Sequence, residues 1–284
     1  MDRTKYIGGS NIAAICGVSP WGNATTVWLE KTGQTQTKKD NAYLEWGKRL
    51  EAVVADKFFE NHPEIKCTES NKRFTHPTYD FISGEVDRLY DGGLLEVKTT
   101  NQYNKKDWDD GNIPDHYKMQ VQWYLMLTGL KEAWLAVLIG GSDYREIFIE
   151  ASPELQKLML SMACDFWFNY VVPKKAPPLL NPDIETVKAL YPTSNGKQTT
   201  IADQAQLIPT LLDIKAQIKE LEEREKELTA SIQSAVGEAE AAITNDGKYL
   251  VSWKTIERKG YEVKPSSYRK FTVKDLTGKI EGGK

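Results

Sequence analysis

Asp87, Glu96 and Lys98 are the residues of this chain whose types and spacing can do chemistry. Asp87 closes the run Gly84-Glu85-Val86-Asp87, and after Asp91-Gly92-Gly93 comes Leu94-Leu95-Glu96-Val97-Lys98. Side chains at i and i+2 share one face of a strand, so Glu96 and Lys98 point the same way. A hairpin turn at Asp91-Gly92-Gly93 then brings Asp87 alongside them. Two carboxylates and an ammonium on one edge of a hairpin form the layout of a metal-dependent phosphodiesterase. Asp87 and Glu96 offer hard oxygen ligands for Mg²⁺, with Mn²⁺ as a substitute, and the backbone carbonyl of Val97 offers another. Lys98 can orient the attacking water or help deprotonate it. Charges that alternate along a strand more often mark its solvated face. Here Leu94, Leu95 and Val97 surround them, which predicts a strand with one face against a core.

Downstream, Tyr117-Lys118-Met119-Gln120-Val121-Gln122-Trp123-Tyr124 reads as a helix. Gln120 and Tyr124 are four residues apart and share a face. An amide and a phenol there can contact the nucleophilic water or a DNA backbone, although isolated residues of these types are more often surface or packing groups.

Four motifs in this order resemble the restriction-endonuclease-like PD-(D/E)xK nucleases, and among them the phage alkaline exonucleases of the lambda exonuclease and YqaJ-type recombinase kind. They are Ile7-Gly8-Gly9-Ser10-Asn11-Ile12-Ala13 with Gly17-Val18-Ser19-Pro20-Trp21, then Gly47-Lys48-Arg49-Leu50-Glu51, the Asp87/Glu96/Lys98 hairpin, and Gln120-Val121-Gln122-Trp123-Tyr124. The resemblance spans residues 1–172 and departs at Glu85-Val86, where a Pro or small polar group is common. Alternation points Glu85 toward the face of Asp87, as a solvated carboxylate or an extra ligand. The resemblance implies that Glu51 approaches the metal from the side. It also implies a 5′-to-3′ exonuclease acting on double-stranded DNA ends in phage recombination, closing into a homo-oligomer such as a trimeric ring and handing single strands to an annealing recombinase. Arg3 precedes Ser10 by the seven residues found in lambda-type exonucleases, where both groups hold the terminal 5′-phosphate. The chemistry agrees, since a guanidinium matches phosphate oxygens as a planar fork and Ser10 stands at a helix start beside free N–H groups.

Composition is compatible with this. The formal net charge is −3, which excludes a uniformly basic nucleic-acid coat. Positive charge must therefore be local, for example Lys48, Arg49, Lys98, Lys105, Lys106 and Lys118 around one groove. Cys16, Cys67 and Cys164 are odd in number and far apart. They suit a reduced, cytoplasmic setting and argue against zinc or iron–sulfur binding. No apolar run is long enough to span a membrane, and the first residues lack an adjoining apolar stretch.

Apolar periodicity and breakers predict an α/β (α+β) fold with a restriction-endonuclease-like core, a central mixed sheet flanked by helices. Helices are expected over 10–15, with Ser10 as N-cap, 25–31, 41–61, 114–128 and 153–170. Strands are expected over 66–75, 81–90, 94–99, 133–139 and 144–149, with a helical crossover between the third and fourth. The nuclease domain is placed at 1–172. Pro173, Pro177, Pro178 and Pro182 mark an extended linker over 173–200. Residues 201–284 form an arm, a hairpin and a basic tail. In the arm Leu207, Leu211, Ile214, Ile218, Leu221, Leu228, Ile232 and Ala235 recur in heptad steps, interrupted by Glu225. That pattern makes a coiled coil or an arm folded back in cis. Asn245-Asp246-Gly247 signals a hairpin turn, and Tyr268-Arg269-Lys270-Phe271 can touch DNA. Two other functions fit the same residues. One is a structure-specific or site-directed endonuclease, since the motif reports hydrolysis and not where the bond lies; the other is a non-catalytic DNA-binding or recruitment module.

Overall fold

The computed structural model describes residues 2–34, 42–179, 183–257 and 271. The chain forms two compact units, Met1–Leu190 and Tyr191–Lys284.

The first unit is built on a five-stranded sheet in the order β1 (Cys67–Thr75), β2 (Ser83–Tyr90), β3 (Gly93–Thr100), β4 (Glu132–Ile139) and β5 (Asp143–Glu150). Only β3 and β4 run parallel, joined by the crossover helix α4 (Asp115–Thr128). This is the mixed α+β sheet that the apolar runs predict. The edge strand β1 is mostly exposed and studded with charge, which protects it against pairing with other chains.

Alternation along β3 divides the core. Leu95 and Val97 pack with Val54, Ala55 and Phe58 of α3 (Ala42–Asn61) on one face. Leu94 joins the larger core made with α1 (Gly9–Ile15), α2 (Ala24–Lys31), α4 and α5 (Pro153–Phe166). Glu96 and Lys98 share the parity of Leu94 and so turn toward α4. The N-terminal segment is held by a parallel bridge between Ile7 and Ile82, which sets the start of α1 beside β2.

Three features differ from the sequence expectation. Helix α1 begins at Gly9, with Gly8 as N-cap, and Ser10 lies inside its first turn; the side chain of Asn11 reaches back to the Gly8 N–H at 3.1 Å. Residues Gln102–Gly111 form a polar 3₁₀ run whose one buried residue is Trp108. Inside the expected extended linker, Ile184–Leu190 forms α6, with Thr186 buried. Asp183 accepts from the Thr186 N–H at 2.7 Å and from Asn23 Nδ2 at 3.2 Å, so capping and docking override the preceding prolines.

The second unit contains α7 (Leu207–Val236), ended by Gly237, and the hairpin of β6 (Ala241–Ile243) and β7 (Leu250–Ser252). Gly247 takes the positive φ of 69° that the Asn-Asp-Gly turn requires. Of the expected DNA-touching run 268–271, only Phe271 is among the described residues.

Candidate active site

The β2–β3 ladder pairs Tyr90 with Gly93, Leu89 with Leu94 and Arg88 with Leu95, and stops there. The next opposed pair is Asp87 and Glu96. Beyond the last rung the Val97 N–H donates instead to Asp87 Oδ2 at 2.8 Å. The hairpin therefore opens into a fork, and the two carboxylates stand at its mouth.

Glu96 is 1% exposed. Its Oε1 accepts from Lys98 Nζ and from Gln120 Nε2, the latter at 2.8 Å, while its Oε2 is buried with no hydrogen-bond partner. Burial, followed by the adjacent Asp87 carboxylate, pushes the Glu96 carboxyl up to about 8. Burial also raises Asp87, against the pull of Lys98. Lys98 is raised as well: burial disfavours its charge, but Glu96 and Asp87 outweigh it. Glu96, raised by burial and then by the neighbouring Asp87 and with one of its oxygens unsatisfied, makes with Asp87 a pair of carboxylates whose charge a hard dication would offset. The donor set thus fits a divalent metal at Asp87 and Glu96. The Val97 carbonyl belongs to the same strand, whose Lys98 is paired in parallel with Val137.

Glu51 acts on this pair through its charge, which raises Asp87 after burial has done so. It comes from α3, on the other face of the sheet, and its Oε1 is 2.8 Å from Arg88 Nη1. The same Arg88 nitrogen donates to the Asp87 carbonyl at 2.6 Å and to Asn71 Oδ1 at 3.2 Å. Among the described residues no three His, Cys, Asp or Glu side chains are gathered closely enough to hold a metal. Arg88 pairs with the carboxylate that the family resemblance assigns to the metal. Glu85 is also occupied, paired with Arg73 Nη2 at 3.1 Å on the exposed side of β2.

Gln120 and Tyr124 meet as their helical spacing predicts, with the Gln120 Nε2 donating to Tyr124 Oη at 2.9 Å. Tyr124 is only 6% exposed. A Cβ on Gly9 would lie 2.9 Å from its ring, and one on Gly84 would lie 2.7 Å away. The ring is thus clasped between two backbones that only glycine allows so close, and it positions Gln120. Ser10 follows Gly9 and is exposed. Arg3 is exposed on a 3₁₀ turn, where its carbonyl accepts from the buried Lys31 ammonium at 2.7 Å. Of the expected basic groove, Arg49 is paired with Glu45 at 2.8 Å and Lys105 with Asp143 at 2.9 Å.

Residues 1–131 match the family model described as a YqaJ-like viral recombinase domain. The protein YqaJ of Bacillus subtilis (strain 168), itself described as uncharacterized, is 36% identical over 267 residues, which cover 90% of this chain and 82% of YqaJ. The chain belongs to the YqaJ family. The crystal structure of the alkaline exonuclease LHK-Exo in complex with dAMP superposes with a TM-score of 0.52 at 19% identity, covering 61% of this chain and 91% of that one. A second structure of LHK-Exo, from Laribacter hongkongensis, gives a TM-score of 0.52 at 18% identity. Over that 61% the fold of this YqaJ-family chain is similar to that of an alkaline exonuclease, consistent with a restriction-endonuclease-like core.

Some residues around the site carry no assignment in the sequence reading. Tyr117 lies one helical turn before Gln120, and Lys98 Nζ sits 5.5 Å from its ring centroid. The spacing 117, 120, 124 on one helix face is the signal that could have found it. Arg88 has no such signal, because its partner lies on another element.

Proposed function

We propose that this chain is a Mg²⁺-dependent deoxyribonuclease, a 5′-to-3′ exonuclease acting on double-stranded DNA ends during phage-type recombination. The observation that carries the reading is the forked hairpin: Asp87 opposite Glu96, Lys98 on Glu96, and one Glu96 oxygen buried without a partner. Asp87 and Glu96 would hold the metal, with the Val97 carbonyl as a further ligand. A bound divalent ion polarises the phosphodiester and lowers the pKa of its water. Gln120 fixes the Glu96 carboxylate, leaving one oxygen for the ion. Lys98 carries the cation that orients the attacking water. Glu51 acts from α3 through Arg88, which fastens it to the Asp87 backbone.

Arg3 and Ser10 form the 5′-phosphate pocket in this reading. It is supported by the exposed Ser10 hydroxyl beside Gly9, whose backbone lies against Gln120 and Tyr124. The arm at α7 serves self-association into a homo-oligomer, and an annealing recombinase takes the single-stranded product. The chain works where DNA is recombined, in the host cytoplasm.

The test uses the purified full chain with Mg²⁺, Mn²⁺ or Ca²⁺ on a supercoiled circle and on the same plasmid made linear. Degradation of the linear form alone, with Mg²⁺ or Mn²⁺ but not Ca²⁺, is the expected result. Cutting of the circle would make it an endonuclease on the same fold. Binding without cutting of either would make it a recruitment module.

A further inference from the structure

Trp21 lies in the loop between α1 and α2 and is 62% exposed. A single exposed tryptophan is common on protein surfaces and carries nothing by itself. Its position does. The indole packs edge to face on His116, with centroids 4.5 Å apart and an interplanar angle of 81°, and lies 5.9 Å from the ring of Tyr117. Tyr117 also packs against Lys98, whose ammonium lies 5.5 Å from the ring centroid. Trp21 is therefore two contacts away from the lysine beside the carboxylate pair.

The loop holds this pose. Gly17 turns the chain at a φ of 77°, and the Trp21 N–H donates to Ser19 Oγ at 3.2 Å. Whichever ring presents its edge, a T-shaped contact leaves at least one indole face open. His116 is itself packed at 4.1 Å on Tyr117, so the platform rests on the same helix that carries Gln120. An anchored aromatic face beside a phosphodiester site matches one ligand class above others, because every nucleobase offers a flat π-surface and the stack tolerates any sequence.

We propose that Trp21 is the stacking platform for the nucleobase next to the phosphodiester being cut. The inference rests on the nuclease reading and goes beyond it in naming what holds the end nucleotide in place. Lys98 and the carboxylates act on the phosphate; Trp21 holds the base, so that the bond enters the fork in register. Its energy is independent of salt to first order, unlike phosphate contacts.

The experiment compares the full-length wild type, Trp21→Ala and Trp21→Phe on two linear duplexes. One has a normal 5′-terminal nucleotide and the other an abasic one at that position. Stacking supplies about 1–3 kcal/mol per base, so Trp21→Ala should slow cleavage of the normal end about tenfold. It should leave the abasic end at the wild-type rate, while Trp21→Phe keeps most of the activity. Because the quantity read is the ratio of the two substrates within each variant, a partly inactive preparation does not alter it. Equal normal-to-abasic ratios for wild type and Trp21→Ala would overturn the proposal. A wild type that cuts neither duplex with Mg²⁺ or Mn²⁺ would instead overturn the nuclease reading on which it stands.

Discussion

Helices α4 and α7 carry apolar residues at helical spacing, yet they end in opposite environments. Helix α4 is 14 residues long and buries Met119, Val121, Gln122, Trp123, Tyr124 and Leu125. Helix α7 is 30 residues long and buries only Val236, while Ile214, Ile218, Leu221, Leu228 and Ile232 remain exposed along one stripe. The difference teaches that a periodic stripe reports a face and not its partner. In α4 the partners are the sheet and α1, brought close by the parallel crossover. In α7 the stripe stays exposed among the described residues, and a heptad pattern of this length suits either a second helix or an arm folded back in cis.

Four measurements break or sharpen this contrast. The largest effect belongs to the cored unit: Asp87→Asn removes a ligand charge at the fork and should lower DNA hydrolysis by about a thousandfold or more. Duplex binding in Ca²⁺ should persist, as read by gel shift. Undiminished cleavage would end the metal assignment. Next, Gly84→Ala drives a methyl to 2.7 Å from the Tyr124 ring. Overpacking of this kind costs about 1–3 kcal/mol, and thermal unfolding of the first unit should come several degrees lower. An unchanged Tm would mean that the clasp is loose.

Replacing Ile218 and Leu221 together by Asp probes the other side of the comparison. Light scattering should show a smaller assembly mass, with the unfolding of the first unit changed by less than about 0.5 kcal/mol, as for surface sites. Loss of thermal stability at constant mass would show that the stripe packs in cis. The smallest effect is at His62 and Glu146, 2.6 Å apart, with side chains 21% and 15% exposed. The Glu146 hydrogen bond raises His62. Burial works against Glu146, but the hydrogen bonds from His62 and Asn61 hold it below its ordinary range. The raised histidine contributes stability below its unfolded pKa and loses it as pH rises through the folded value. The lowered glutamate contributes above its unfolded pKa and loses it as pH falls. Glu146→Gln should therefore cost most in mildly acidic solution, less than about 1 kcal/mol, and less at alkaline pH, where His62 is neutral but the Asn61 hydrogen bond to Glu146 remains, when midpoints of denaturant unfolding are compared.

Much of the first unit is legible in the sequence because its signals are local. The turn Asp91-Gly92-Gly93 and the alternation of β3 place Asp87, Glu96 and Lys98, and the four-residue step places Gln120 beside Tyr124. What is not legible depends on contacts between distant segments. Nothing near Glu51 in sequence announces Arg88. Lys31 looks like an ordinary last-turn lysine but is buried against the Arg3 carbonyl. Ser10 has the side chain of an N-cap, yet the helix starts one residue earlier, where the Asn11 side chain accepts from the Gly8 N–H. The run Gln102–Gly111 is polar throughout except where Trp108 dives into the core, where Arg145 caps its carbonyl at 2.7 Å.

The clasp of Gly9 and Gly84 around Tyr124 has a consequence for the order in which this protein can become active. Asp87 and Glu96 lie nine positions apart in sequence, so their meeting closes a short loop and is entropically cheap. The contact of Gly9 with Tyr124 spans more than a hundred residues and forms only when the chain's two distant stretches have docked. A half-folded chain emerging from the ribosome can therefore own its paired carboxylates while the amide that aims one of them is still unplaced. Maturation of the hydrolytic centre then coincides with docking of the N-terminal segment.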